Sequence, residues 1–402
     1  MSQAKTFCIY PWVHLHLNTD GGMYPCCVGW TPDQHTNVGH ISKMTFEEAF
    51  NAPYMKQLRV DMLAGVRRDD ACCNCYERED AGFTSAREGA NRDFADQVQT
   101  LIDQTLEDGY LPPSIKSWDI RYSNLCNLKC RSCGSTYSTM WGEEMKLKDY
   151  KIFAIPPEIP DPLADQYTNV EKIYFAGGEP LIMPEHFALL TKLIEIQRAK
   201  NVILIYNSNL TILNYAGSNL LELWSHFKHV SIGVSLDAVG PRAEYIRKGT
   251  RWSTLEKNLL QLVDYQKRQK NFDFFYSPTV SLFNVNHLPD MHKYLIEHGL
   301  ALPHTLLLFN ILLDPSYYNC RILPTIFRQE THKKIEDHVK WCVENNVNSG
   351  VIEKFKNIQE YMLTDINDAN EQLQKFIEKT NELDTIRNEN FNDTFPEYKG
   401  LL

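Results

Sequence analysis

No stretch of this 402-residue sequence approaches the roughly 18 consecutive apolar residues that a membrane-spanning helix requires. The opening residues, MSQAKTFCIYPW, hold no apolar core of a signal peptide. Positive charge is in short supply: 41 Lys and Arg against 51 Asp and Glu leave a formal net charge of −10. That balance argues against a general nucleic-acid or anionic-membrane binder, and leaves room only for a local basic patch. Internal repeats and low-complexity segments are absent. These absences point to a cytoplasmic globular protein, and 43% hydrophobic with 23% charged residues is ordinary for that class. The length suits one large domain with a smaller one.

Cysteine is scarce in most of the chain. Of eleven cysteines, only Cys320 and Cys342 lie beyond residue 133. The other nine form three clusters: Cys8 with Cys26 and Cys27, Cys72 with Cys73 and Cys75, and Cys126 with Cys130 and Cys133. In a cytoplasmic chain of this size, clustered cysteines read as metal ligands rather than disulfides. The densest array is CNLKCRSCG, residues 126–134, a Cys-x3-Cys-x2-Cys pattern. The run before it, SIKSWDIRYSN, alternates like a buried strand ending near Tyr122. The run after it, STYSTMWGEEMKLK, reads as a helix from Ser135. Three thiols thus share a tight strand-to-helix loop, one short of the four that close an iron–sulfur or zinc site. Such a site keeps one metal position open for chemistry.

This spacing, in this context, resembles the radical S-adenosylmethionine (radical SAM) superfamily. The resemblance implies a [4Fe-4S] cluster on Cys126, Cys130 and Cys133, with SAM chelated at the open iron. A structural zinc loop with a ligand from elsewhere is the alternative. One departure is visible: the family often has an aromatic residue before the third cysteine, and here that residue is Ser132.

From residue 117 to about 310, strands and helices alternate. The strand candidates are SWDIRYS, VEKIYFAG, NVILIYNSN, HVSIGVSLD, FDFFYSPTV and HTLLLFN. Six βα units imply a parallel sheet with right-handed crossovers. They match the family's partial (β/α)6 barrel, with chemistry at the carboxyl ends of the strands. The second strand ends in Gly177-Gly178-Glu179-Pro180, which resembles the family's motif for the SAM amino group. By the same resemblance Asn207 and Ser235 are expected at SAM, Asp237 toward substrate, and Arg247 at the SAM carboxylate, since guanidinium pairs well with carboxylate.

The first ninety residues read as a unit of their own. VHLHL alternates, Asp20-Gly21-Gly22 supplies a turn, and the return strand ends at Cys26 and Cys27. A helix capped by Thr45 and Glu48 runs to Gly65, and ACCNC follows. This resembles the auxiliary-cluster domains called SPASM or twitch, with Cys8, Cys26, Cys72 and Cys75 as ligands of a second [4Fe-4S] cluster, Cys27 being a possible substitute for Cys26. The longer pattern expects a further cysteine six residues after Cys75, where this chain has Ala81; one auxiliary cluster is therefore implied. The unit also precedes the barrel, whereas the family usually places it after. A zinc knuckle on the same cysteines is the alternative.

The domain expectation is an auxiliary domain over 1–90, a linker helix over 91–113 with a Pro112-Pro113 break, the barrel over 114–312, and helices over 313–402. Cys320, near Tyr317 and Tyr318, is a candidate hydrogen donor to a substrate radical against the commoner reading of an inert buried thiol; Cys342 reads as core. The resemblance implies an enzyme that takes an electron from a donor such as flavodoxin or ferredoxin and cleaves SAM to a 5′-deoxyadenosyl radical. That radical abstracts hydrogen from a substrate. A peptide or protein side chain is the first expectation, a sugar or cyclitol alcohol the second, and a non-catalytic iron–sulfur or zinc module the outside alternative.

Overall fold

A computed structural model describes residues 5–29, 36–80, 84–148, 161–302 and 304–402. Ala81 lies outside the described residues. Near the start of the chain, β1 (His14–Leu17) and β2 (Gly22–Tyr24) form the expected hairpin, with Gly21 at φ +83° in its turn, and β3 (Gly39–His40) adds to β2. The helix expected from Thr45 to Gly65 is two helices, α1 (Phe46–Phe50) and α2 (Pro53–Leu63). The capping box at Thr45 and Glu48 is present, but Pro53 cannot continue α1 and instead starts α2. Next come α3 (Asp69–Asp80), which carries Cys72, Cys73 and Cys75, then α4 (Ala86–Asp93) and α5 (Val98–Gln104).

The alternating region opens with β4 (Ser117–Ile120), followed by the cysteine loop and α6 (Thr139–Glu144). Helix α6 starts four residues later than the sequence pattern suggests. Ser138 is extended (φ −149°, ψ 116°), and its hydroxyl donates to the Leu128 carbonyl at 2.6 Å, which ties the segment to the loop. Then follow β5 (Lys172–Phe175), α7 (Pro184–Glu195), β6 (Ile203–Ser208), β7 (His229–Val234), α8 (Trp252–Arg268), β8 (Phe272–Tyr276) and α9 (Leu288–Glu297). The sixth expected strand is broken. Leu307 makes a single parallel bridge to Tyr276, and Asn310–Ile311 pairs in parallel with Thr279–Val280. Three long helices follow, α10 (Thr325–Glu344), α11 (Ser349–Leu363) and α12 (Ala369–Arg387), and a one-turn helix at Phe391–Thr394 comes after them.

Two compact units result. The first comprises residues 1–125, 149–206 and 222–230; the second comprises 126–148, 207–221 and 231–402. Strands β6 and β7 each contribute residues to both.

Within the first unit the sheet order is β6-β5-β4-β1-β2-β3. Strands β4, β5 and β6 are parallel, as βαβ crossovers demand. Strand β1 also pairs in parallel with β4, His14 opposite Ser117 through Leu17 opposite Ile120. The amino-terminal ninety residues are therefore not an independent body, as the sequence suggested. Their hairpin extends the barrel sheet and covers the edge that β4 would otherwise leave unpaired. The expected boundary at 90/91 falls inside α4. Buried Arg59 fixes α2 by donating to the carbonyls of Pro11 (2.7 Å), Phe50 (2.6 Å) and Gly109 (3.0 Å).

Within the second unit, α10 and α11 form an antiparallel pair. Asn286, just before α9, donates to Thr331 of α10 at 3.0 Å, and Lys334 of α10 reaches Asn286 and Asp290.

Candidate functional site

In the first unit, four of the six cysteines turn toward one another. Cys8 and Cys75 are buried, and Cys26 and Cys72 half-buried. Cys72 and Cys75 lie three residues apart on α3 and so share a face, while Cys73 is rotated away from it. Gly29 packs against this place; a Cβ there would lie 3.4 Å from the Cys26 sulfur and 3.0 Å from the Ala71 carbonyl oxygen. The Cys8 segment is held from α4. Arg87 donates to the Phe7 carbonyl at 2.6 Å, Asn91 donates to the same carbonyl at 2.9 Å, and Asn91 accepts from Ile9 N–H at 2.8 Å. Glu79 of α3 completes the brace with a salt bridge to Arg87.

Burial raises the Cys8 thiol, with Cys26, Cys72 and Cys75 adding to the rise. Burial, then Cys72, pushes Cys26 up to about 12, and burial, then Cys75, does the same to Cys72. Thiols gathered in this way are a donor set that a cation would ionise, since metal ligation requires thiolates.

Cys27 faces elsewhere. Its side chain is exposed. Desolvation of its sulfur by neighbouring atoms, then the Asp119 carboxylate and Cys26, raise its pKa, while Arg121 works against the rise. Asp119 lies on β4 with His16 of β1 at 3.2 Å and Arg121 at 3.4 Å. Burial disfavours the Asp119 charge, yet His16 and Arg121 hold its pKa well below the usual carboxylate range.

The Gly-Gly-Glu turn, also in the first unit, follows β5 and packs against the segment that leaves β4. Gly177 has φ +107°, which favours glycine. A Cβ on Gly178 would collide with the Leu125 carbonyl, and the Glu179 N–H donates to that carbonyl at 2.8 Å. Leu125 is the residue before Cys126. The Glu179 side chain is buried and accepts from Leu181 N–H at 3.1 Å.

In the second unit the loop brings Cys126, Cys130 and Cys133 together. Leu128 N–H points at the Cys126 sulfur (3.5 Å), and Cys133 N–H donates to the Cys130 carbonyl (3.0 Å). Trp141 of α6 donates to that same carbonyl at 2.7 Å. Lys129–Cys130 pairs antiparallel with Arg247–Lys248, which places Arg247 opposite Cys130. Its guanidinium lies 3.8 Å from the Cys130 sulfur and grips Asp237 through two nitrogens, at 2.7 and 3.1 Å. A SAM carboxylate at Arg247 would therefore share it with Asp237. Burial raises the Cys130 thiol, with Arg247 the main opposing influence; burial, then Cys130, pushes Cys133 up to about 12. Ser235 donates its N–H to the Ser208 carbonyl at 2.8 Å; Asn207, at the end of β6, is exposed. Cys320 is fully buried in a turn, and burial pushes its thiol up to about 12.

The loop is braced from the far end of the chain by residues that sequence reasoning missed. Arg131, between the second and third cysteines, has a fully buried side chain. It stacks on Tyr245, 3.7 Å from the ring centre, and pairs with Asp384 of α12 and with Glu389 at 2.7 Å. Arg387 pairs with Glu144 of α6 at 2.7 Å and donates to the Lys129 carbonyl at 2.9 Å. No periodic or local pattern marks these pairs, because their partners are some 250 residues away.

The sulfur spacing tests which metal group fits. A single tetrahedral metal with bonds of about 2.3 Å holds its sulfurs about 3.8 Å apart. Among the described residues, no three of these clustered cysteine sulfurs lie within 4.8 Å of one another. The donor chemistry fits an iron–sulfur group: all-thiol sets of this kind ligate such clusters as thiolates.

Residues 8–76 match the family described as the SPASM iron–sulfur cluster-binding domain, and residues 120–279 match the radical SAM superfamily. A curated relative, 7-carboxy-7-deazaguanine synthase of Thermoplasma acidophilum, is 23% identical over 188 residues, covering 42% of this chain and 84% of the relative. Among solved structures, native anSMEcpe with bound AdoMet is 22% identical with a TM-score of 0.40, covering 58% of this chain and 62% of its own length. Streptococcus suis SuiB bound to precursor peptide SuiA is 13% identical with a TM-score of 0.37, covering 84% of this chain and 70% of its own.

Proposed function

The chain belongs to the radical SAM superfamily and carries a SPASM domain ahead of the barrel, and from that premise we propose that it is an enzyme acting on a peptide or protein side chain by hydrogen abstraction. The observation that carries this reading is the cysteine loop. Three thiols follow β4, and the Gly-Gly-Glu turn is hydrogen-bonded to the residue at the loop's root. When bound, a [4Fe-4S] cluster supplies one electron to SAM, whose cleavage generates the 5′-deoxyadenosyl radical.

The chain's own residues have separable roles. Cys126, Cys130 and Cys133 hold the cluster and leave one iron free. Arg247 steadies the thiolate form of Cys130 across their strand pairing. Gly177, Gly178 and Glu179 bind the SAM amino group, and Asn207 and Ser235 the rest of SAM. Cys8, Cys26, Cys72 and Cys75 close a second cluster that exposes no iron to SAM. The SPASM match supports a peptide substrate. The relative described as 7-carboxy-7-deazaguanine synthase keeps a small-molecule substrate as the second reading.

The test is anaerobic reconstitution with iron, sulfide and 5′-deoxyadenosine analysis. Seven thiolates predict two clusters, hence about eight irons per chain. Replacing Cys126, Cys130 and Cys133 by Ala should leave about four and abolish reductant-dependent 5′-deoxyadenosine. Stoichiometric zinc at the cluster cysteines without sulfide would reject the proposal.

A further inference from the structure

One group of metal-ligating side chains plays no part in the cluster chemistry. His292 lies on α9, while His338 and Cys342 lie one turn apart on α10 and share a face. His292 Nδ1 is 3.0 Å from His338 Nε2, and the Cys342 sulfur is 3.4 Å from that Nε2 and 3.9 Å from the Nδ1. The histidines are each 1% exposed and the cysteine 0%. Trp341 stacks on the His338 ring, and Phe355 of α11 stacks on His292.

Hydrogen bonding alone leaves this group mismatched. A neutral imidazole offers one donor and one acceptor. If one ring nitrogen donates to the other, the single lone pair between them is used. The thiol hydrogen then has no free acceptor within the group. Nδ1 of His338 is also buried with no hydrogen-bond partner, so tautomer exchange relieves nothing. A metal ion accepts all three lone pairs at once and takes the place of the thiol proton. The spacing suits one: tetrahedral bonds of about 2.0 Å to nitrogen and 2.3 Å to sulfur put nitrogens about 3.3 Å apart and nitrogen and sulfur about 3.5 Å apart. The three observed separations straddle those values.

We propose that His292, His338 and Cys342 bind one Zn²⁺ ion that pins α9 to α10. Two imidazoles and a thiolate form a borderline-soft set, and the absence of carboxylate in the group disfavours Mg²⁺ and Ca²⁺. Among the described residues no fourth His, Cys, Asp or Glu joins the group, so these three are the protein's whole contribution to the shell. Burial and the aromatic walls make the role structural. The ion fastens the carboxyl-terminal helices at their first member, while the last of them, α12, braces the cysteine loop.

The test uses the 402-residue chain with its iron–sulfur clusters reconstituted, dialysed with Zn²⁺ and then freed of excess. Wild type should retain one equivalent of zinc, and zinc K-edge absorption should show two nitrogens and one sulfur from the protein. Cys342→Ala and His338→Ala should lose that equivalent, keep wild-type iron, and lose the Zn²⁺-dependent rise in Tm. Iron content reports folding; should His338→Ala lose iron, Cys342→Ala alone decides. No retained zinc in wild type, an all-sulfur shell marking zinc on the cluster cysteines, or full zinc in Cys342→Ala would overturn the proposal.

Discussion

The two cysteine sets solve the problem of gathering thiolates in opposite ways. In the first unit the four thiols come from three separate segments, spread from residue 8 to residue 75. Their neighbours are mainly one another, and the cation that acts on them, Arg68 near Cys72, is a minor influence. In the second unit three thiols lie within eight residues, and the Arg247 guanidinium opposes the burial-driven rise of two of them. A metal on the first set would supply its charge balance, because like charges gathered without a counter-charge are costly. The open set has a counter-charge built into the protein. A site that must exchange an electron and bind a zwitterionic ligand gains from that field, whereas a closed site gains from complete ligation.

Removing two ligands from the closed set tests this division most severely. Cys72→Ala with Cys75→Ala should lower iron from about eight to about four per chain. Reductant-dependent 5′-deoxyadenosine formation should persist, and turnover of the true substrate should vanish. Circular dichroism must show a folded variant, since a closed metal site is coupled to folding. Either complete loss of SAM cleavage in a folded variant or normal turnover would show that the two sets do not divide the work in this way.

The brace on the open set ranks next. Asp384→Asn with Glu389→Gln leaves the fully buried Arg131 guanidinium without its carboxylates. Breaking a buried pair from one side typically costs about 3–5 kcal/mol, because a charge is left uncompensated. Denaturant unfolding should register that loss, and the reconstituted variant should hold less iron in the loop while the first-unit cluster remains. Arg131→Met together with the same two changes should recover part of the stability, since an apolar replacement of all partners removes the stranded charge. A double variant as stable as wild type would mean that α12 does not hold the loop.

What was legible in the sequence follows the same contrast. The cysteine loop, the Gly-Gly-Glu turn and five of the six strands are local patterns, and they stand where alternation and spacing put them. The long-range partnerships are different. Nothing in VHLHL announces that it will pair in parallel with SWDI a hundred residues later, because any alternating strand offers the same edge. Nothing near Arg131 announces Asp384 or Glu389. Local reasoning also failed where one residue outweighed a longer pattern, as when Pro53 split a helix or Ser138 turned aside to bond Leu128.

The finest comparison lies within a single dipeptide. Cys26 and Cys27 are adjacent, and the family resemblance puts Cys26 in the ligand set with Cys27 as its substitute. Their surroundings differ: Cys26 is raised by burial and by Cys72 and Cys75, whereas Cys27 answers to burial, then to Asp119 and Cys26, with Arg121 opposing. Cys26→Ala should therefore lose the first-unit cluster, and Cys27→Ala should keep about eight irons per chain. The Cys27 environment can be read separately by alkylation. A raised pKa leaves the thiol protonated near neutral pH, so iodoacetamide should react slowly and faster as pH rises. Asp119→Asn removes a negative neighbour, which lowers the Cys27 pKa and increases the thiolate fraction at a given pH. Cys27 alkylation, located by peptide mapping, should accelerate in that variant by a few-fold and shift its pH profile downward. An unchanged profile would mean that Asp119 does not act on Cys27. Iron loss in Cys27→Ala, with iron kept in Cys26→Ala, would reverse the assignment of the ligand.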